Sequence, residues 1–348
     1  MIGLALALAA GLAQPVLPPE PPPPPPLPEQ AAPAAAGGGD DTRVVRGTPA
    51  AQFVPWQVQF FTTLPIPEAE LQADRAKPPG DRTKRYFDKM DRTEQDHLCG
   101  AVLVADGWAL TAAHCLVDAE GRFSFRVGQL RVRLGSNRLD RATEMAIERA
   151  VVHGGYVRKR SRLDDIALIR LQPIDGITQP AVAARAEPIP IETGAVPAGS
   201  TLVITGWGQT GERKPKQVQD VRGLPMRGPD KGRLLEGRLT PVAADECRQI
   251  PGYAKALGPG VICAVGADDK RQDSCQGDSG GPLTLQGRLV GLVSWGLGCG
   301  RPGVPGIYTR VAFYQDWIDQ VMRQATGPAL AGRISRCTPA GRARVACG

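Results

Sequence analysis

An all-β fold, a sandwich or a barrel, is what this sequence predicts, and three features predict it. Short β-rich runs recur along the body: Trp56–Phe61, Ala101–Val104, Trp108–Thr111, Gln129–Leu134, Ala167–Leu171, Thr201–Thr205, Pro282–Leu285, Leu289–Trp295 and Gly306–Val311. Gly, Pro or charged clusters bound most of them, as expected of strands joined by turns. The 42 glycines are spread through the body while much of the proline sits near the N-terminus, so turn positions are available throughout. A hydrophobic share of 42% over 348 residues is enough for one large two-lobed unit, and 22% charged residues exclude a disordered polyelectrolyte.

The elements follow in order. Residues 2–13, IGLALALAAGLA, are apolar, end in small residues and fall short of the roughly 20 needed to cross a bilayer. They are expected to form a signal-peptide core within residues 1–13, cut near Ala13. Residues 14–43 read as a Pro/Ala/Gly-rich spacer and propeptide, which the run Pro21–Pro26 keeps extended. The folded body is expected over 44–325. Within it, Leu64–His97 carries eight acids and seven Arg/Lys whose charges nearly cancel, and reads as a long surface loop with a helical turn at Tyr86–Met90. Tyr314–Gln324 puts Trp317, Ile318 and Val321 on one side of a helix that docks on the body. Residues 326–348 are a basic tail. No further stretch is long and apolar enough for a membrane helix, so stable membrane insertion is not expected.

Eight cysteines form no CxxC, so the tight zinc pattern is missing, and the number allows 105 pairings. An oxidising compartment suits them, which points to a secreted or periplasmic protein. Should Cys337 and Cys347 join, the small loop would add about 2–3 kcal/mol as a staple at the chain end. The net charge is +7, and from Arg122 to Arg162 eleven Arg/Lys face only Asp140, Glu144 and Glu148. A solvated basic face is the expectation, with polyanion contact as the alternative. No specific nucleic acid is expected as a partner.

Three segments carry chemistry. Ser279 lies in DSCQGDSGGP (Asp273–Pro282) among Gly277, Gly280 and Gly281, which let amide N–H groups converge on one point. His114 lies in LTAAHC (Leu110–Cys115), where small residues precede it and Cys115 can fasten its turn. Asp165 opens a β-branched and leucine-rich run in DDIALIRL, with Asp164 as its rival. A serine hydroxyl attacks an amide only if a base takes its proton, and an acid must hold that base. One His, one Asp and one Ser in such settings therefore suggest acyl transfer. His153 reads as a structural or surface histidine.

On LTAAHC and GDSGGP, with GWG at Gly206–Gly208 and SWG at Ser294–Gly296, the chain resembles the chymotrypsin/trypsin family of serine proteases over about Val44 to Gln324. The resemblance implies two antiparallel six-stranded barrels, about 44–180 and 181–312, and a C-terminal helix over 313–325. It implies a trypsin-like endopeptidase with Ser279 as nucleophile, His114 as base then acid and Asp165 as orienting carboxylate. The Gly277 and Ser279 amides would form the oxyanion hole. Asp273 would floor a pocket for substrate Arg or Lys, with Ser294, Gly296 and Gly306 in its walls. Arg43-Val44 resembles an activation junction whose new amine would pair with Asp278, although Arg46 stands where the family has Gly. Pairings Cys99–Cys115, Cys247–Cys263 and Cys275–Cys299 are implied, leaving Cys337–Cys347. No cofactor or metal is expected: Ser136 replaces the Glu of calcium-binding relatives, and Pro305 the Tyr of sodium-regulated ones.

Overall fold

In the computed structural model the body closes into two six-stranded antiparallel barrels. The described residues are 43–80, 84–85, 87–159, 162–174, 185–208, 232–267, 271–324, 330–340 and 344–348. The chain divides into Met1–Asp40 and Asp41–Gly348, and all described residues belong to the second unit. The expected signal peptide, nearly all of the spacer, Tyr86, and the junction at 180/181 lie outside them.

A short strand β1 (Thr48–Pro49) precedes the first barrel. That barrel comprises β2 (Gln57–Thr62), β3 (His97–Ala105), β4 (Trp108–Thr111), β5 (Leu130–Leu134), β6 (Thr143–His153) and β7 (Ala167–Gln172). It runs β6-β5-β2-β3-β4-β7 and closes through β6 and β7. The second barrel comprises β8 (Leu202–Gly206), β9 (Leu235–Val242), β10 (Val261–Gly266), β11 (Pro282–Leu285), β12 (Arg288–Trp295) and β13 (Gly306–Arg310). It runs β9-β10-β13-β12-β11-β8 and closes through β8 and β9, with β1 added beside β9.

The two-residue period of a strand explains how the barrels meet. In β2, Val58 and Phe60 enter the first core with Leu130, Val132 and Ile169. Gln57 and Gln59 alternate with them and are buried too, and both make polar contacts: Thr205 Oγ1 donates to Gln57 Oε1 at 2.6 Å, linking the barrels. Gly100 in β3 marks the closest approach, since a Cβ there would lie 2.8 Å from Gly281 Cα. Any side chain would push the barrels apart.

The helix Gln315–Gln324 buries Trp317, Ile318 and Val321 against Trp108, Leu110, Val151 and Leu168 on the outside of the first barrel. Beyond it the tail is structured. In β14 (Ile334–Pro339), residues Ile334 to Cys337 run parallel to Ala150–His153 of β6, and β15 (Val345–Cys347) turns back antiparallel to it. Trp317 Nε1 donates to Cys337 O at 2.9 Å, tying helix to tail. The described residues of the 64–97 insertion also form helical turns rather than plain loop. It holds the helix Glu68–Ala76, a single 3-10 turn at Phe87–Lys89 and the short helix Arg92–Gln95, over a small core of Ile66, Phe87 and Met90. Asp91 caps the last of these by accepting from Glu94 N, while Glu94 accepts from Asp91 N. Disulfides join Cys99–Cys115, Cys247–Cys263, Cys275–Cys299 and Cys337–Cys347. Among the described residues no helix is long and apolar enough to cross a membrane.

Candidate active site

His114 sits on a single 3-10 turn, Ala113–Cys115, that ends the β3–β4 hairpin, and Cys115 ties that turn back to Cys99 in β3. Asp165 comes from the opposite side, on the loop between β6 and β7. Its Oδ2 accepts from His114 Nδ1 at 2.8 Å and its Oδ1 from His114 N at 2.9 Å, so both backbone and ring of the histidine are fixed. Ser294 Oγ donates to the same Oδ2 at 2.5 Å, and Thr309 Oγ1 donates to Asp165 O at 2.8 Å. Burial alone would raise the Asp165 carboxyl; the charge and hydrogen bonds of His114, together with the Ser294 hydroxyl, outweigh it and hold the group below its ordinary range. The acid therefore stays ionised and holds Nδ1, so Nε2 is the ring nitrogen that this pair leaves free. Asp164 points elsewhere: it accepts from Tyr314 Oη at 3.0 Å and lies 4.0 Å from His153. His153 is buried edge-on to Tyr314 and Trp317, at 5.3 and 5.1 Å between ring centres.

Ser279 is half-buried at the tip of the turn that leads into β11. Gly277 (φ 94°) and Gly280 (φ 76°) take the left-handed backbone that this tight turn needs. Added side chains would clash, since a Cβ on Gly280 would come within 2.6 Å of Gly100 O. Ser279 O accepts from Gly100 N at 2.8 Å, which holds the turn against the first barrel. His114 and Ser279 line one cavity of about 220 Å³ together with Asp273, Ser294, Trp295, Gly296 and Gly306. Among the described residues no hydrogen bond joins His114 to Ser279. A base and nucleophile without substrate are often loosely aligned and tighten on binding.

At the back of this cavity Asp273 is buried, with Oδ2 accepting from Gly300 N at 2.9 Å and Oδ1 without a hydrogen-bond partner among the described residues. Burial pushes its carboxyl up to about 6, which the Gly300 amide, and after it Ser274 and Tyr308, offset only in part. Gly306 leaves room beside it, since a Cβ there would stand 3.0 Å from Oδ1. Asp278, next to Ser279, is fully enclosed. It accepts from Gly208 N at 2.8 Å and Cys275 N at 2.9 Å, has no cationic partner among the described residues, and is pushed up to about 7 by burial. Val44 is wholly buried in the second-barrel core with φ 40°, a strained conformation for a β-branched residue. Val45 bridges to Asp273, and Arg46 takes φ 56° where glycine would be unstrained.

Sequence reasoning passed over His97. It is buried, its Nε2 donates to Gly277 O at 2.9 Å, and its Nδ1 accepts from Gln59 Nε2 at 3.0 Å. Burial lowers its ring to about 4, so it is neutral at pH 7. Gln59 Oε1 in turn accepts from Arg133 Nη1 at 2.8 Å, and Arg133 forks onto Asp96 at 2.9 and 2.7 Å. The available signal was its place two residues before Cys99. Cys99, His114 and Cys115 also cluster, but both sulfurs are in a disulfide and offer a metal no thiolate.

A family model described as Trypsin matches residues 75–318. Human Serine protease 56 is 37% identical over 238 residues, 65% of this chain and 34% of its own length. Human Kallikrein-14 is 36% identical over 65% of this chain and 74% of its own. The chain spans about a third of the length of the first of these relatives and of its mouse counterpart. A solved structure of neuropsin, a serine protease expressed in the limbic system of mouse brain, aligns with TM-score 0.53 and 28% identity, covering 77% of this chain and 94% of that one.

Proposed function

The chain belongs to the trypsin family of serine proteases, and we propose that it is a serine endopeptidase that cuts peptide bonds after Arg or Lys, using Ser279, His114 and Asp165, once it has itself been cut after Arg43. The observation that supports the specificity is Asp273: a buried carboxylate oxygen with no hydrogen-bond partner among the described residues, in the cavity shared with Ser279. Leaving a charge so placed is costly, and a substrate guanidinium or ammonium supplies the missing partner.

Ser279 Oγ adds to the carbonyl carbon as His114 Nε2 takes its proton, and Asp165 stabilises the imidazolium. The carbonyl oxygen, now negative, is met by the Gly277 and Ser279 amides. His97 holds the Gly277 carbonyl from behind and so fixes the plane of the Gly277–Asp278 peptide. His114 returns the proton to the departing amine. Water then adds to the acyl-enzyme by the same route in reverse roles and frees Ser279.

Activation rests on Asp278. In the uncut chain its carboxylate is buried beside the Gly208 and Cys275 amides, with no cationic partner among the described residues. Hydrolysis of the Arg43–Val44 bond creates an ammonium on Val44 that can neutralise it, and frees the strained φ of Val44. The chain is then a zymogen, made for an oxidising, extracytoplasmic compartment in keeping with its four disulfides. N-terminal sequencing of active material is expected to give Val-Val-Arg-Gly, and an Arg43→Gln chain to stay inactive; full activity in that variant would refute the zymogen reading.

A further inference from the structure

The basic run 122–162 is mostly spent on internal pairs. Arg122, Arg131, Arg133, Arg138, Arg149 and Lys159 each face a carboxylate, Lys159 reaching Glu120 at 2.5 Å. Two of its arginines are different. Arg158 and Arg162 are exposed, have no carboxylate partner among the described residues, and line the same cavity as His114, Asp273 and Ser279. Arg162 takes φ 54°, and its guanidinium lies 4.8 Å from the centre of the Trp295 ring, which holds the charge at the cavity mouth. A bound peptide whose Arg fills the Asp273 pocket must pass this rim.

We propose that Arg158 and Arg162 select acidic side chains just N-terminal to the cleaved residue, and that the preferred sequence is the one this chain carries at its own junction. Resting on the Arg/Lys reading above, this adds a second determinant to it. The junction reads Gly38-Gly39-Asp40-Asp41-Thr42-Arg43: one Arg for the buried carboxylate and two acids for the two open arginines. On the other side of the bond, Val44-Val45-Arg46 offers no acid, so the complementarity places the acidic side chains upstream. The consequence is self-activation with a charge code: a cut molecule recognises the same segment of another copy.

The test uses two substrates that cannot cut themselves, the full chain with Ser279→Ala and the same chain with D40N and D41N added. The enzyme is full chain cut after Arg43 and titrated with a fluorophosphonate, so that rates refer to reactive Ser279. An exposed ion pair gives about two- to fivefold, so the Asp substrate is expected to be cut after Arg43 about tenfold faster than the Asn one at low salt, and about twofold faster at 1 M salt, where screening is strong. In enzyme carrying R158Q and R162Q the ratio is expected to fall to about one. With R158E and R162E it is expected to invert in favour of a substrate carrying D40K and D41K. A parent ratio near one, or a ratio that survives in both variants, overturns the proposal. So does slowing of the parent but not of the glutamine variant by a sulfated polysaccharide when the ratio is one, because the arginines then serve a polyanion. Failure to cut either substrate after Arg43, while Ser279 still labels, would instead overturn the Arg specificity beneath it.

Discussion

Replacing Asp273 by Asn isolates the charge on which the specificity depends. The side chain keeps its size, so the cavity shape and the Gly300 contact at 2.9 Å change little. What is lost is the carboxylate whose Oδ1 has no hydrogen-bond partner among the described residues. Removing one member of a buried pair costs about 3–5 kcal/mol. With about 1.4 kcal/mol per factor of ten, kcat/KM for an Arg peptide should fall by roughly two to four orders of magnitude. Phosphonylation of Ser279 by a small uncharged fluorophosphonate does not use the pocket charge and should change by less than about threefold. The assay is kcat/KM on matched peptides ending in Arg or Leu, with active sites titrated by the phosphonate. A pH signature accompanies it: burial raises Asp273 to about 6, so the free pocket gains its charge as pH rises through that value. The Arg/Leu ratio of kcat/KM should climb through about pH 6, since the His114 step is common to both substrates and cancels. Arg cleavage within threefold of the parent in D273N, at equal labelling, would refute the pocket assignment.

Other outcomes follow from the same geometry. Asp278 is raised to about 7 in the fold, so the folded uncut chain holds its proton more tightly than the unfolded chain does. Its contribution is fully present below about pH 4 and is lost as pH rises to about 7, amounting to a few kcal/mol; urea midpoints of the R43Q chain should show this decline, and R43Q with D278N should not. Cut D278N should lose about a hundredfold or more in kcat with an intact Ser279, read by single-turnover kinetics. His97→Ala removes the donor behind Gly277, so kcat should drop about tenfold with KM nearly unchanged; an unchanged kcat would make His97 merely structural. Cys337→Ala with Cys347→Ala should destabilise the protein by about 2–3 kcal/mol, measured by denaturant unfolding, while active-site titration still gives one Ser279 per chain.

Where sequence and structure agree, the chemistry is local. Ser279 and His114 announce themselves through the glycines and small residues that their turns require. Choosing between Asp164 and Asp165 needed the resemblance as well, because two adjacent carboxylates look alike until the backbone sends one to His114 and the other to Tyr314. Strands β6, β9 and β10 were missed. TEMAIERAVVH mixes Glu and Arg into a barrel strand, and LEGRLTPV carries Gly and Pro, so neither reads as a clean apolar alternation. The tail strand ISRCTP, with its Ser and Arg, looks like surface chain; only β6 gives it a ladder to join. Leu64–His97 concealed its helices because its small core rests on three residues, Ile66, Phe87 and Met90, spaced far apart in sequence. His97 was invisible for a related reason: what matters is the carbonyl of Gly277, 180 positions away.

The central claim is that a histidine braced by Asp165 makes one serine reactive. It is tested most directly by the rate and site of fluorophosphonate addition to protein cut after Arg43, with and without His114→Ala. A single adduct on Ser279 is expected, forming several orders of magnitude more slowly in the alanine variant. An adduct on another residue, or a rate that ignores the loss of His114, would contradict it.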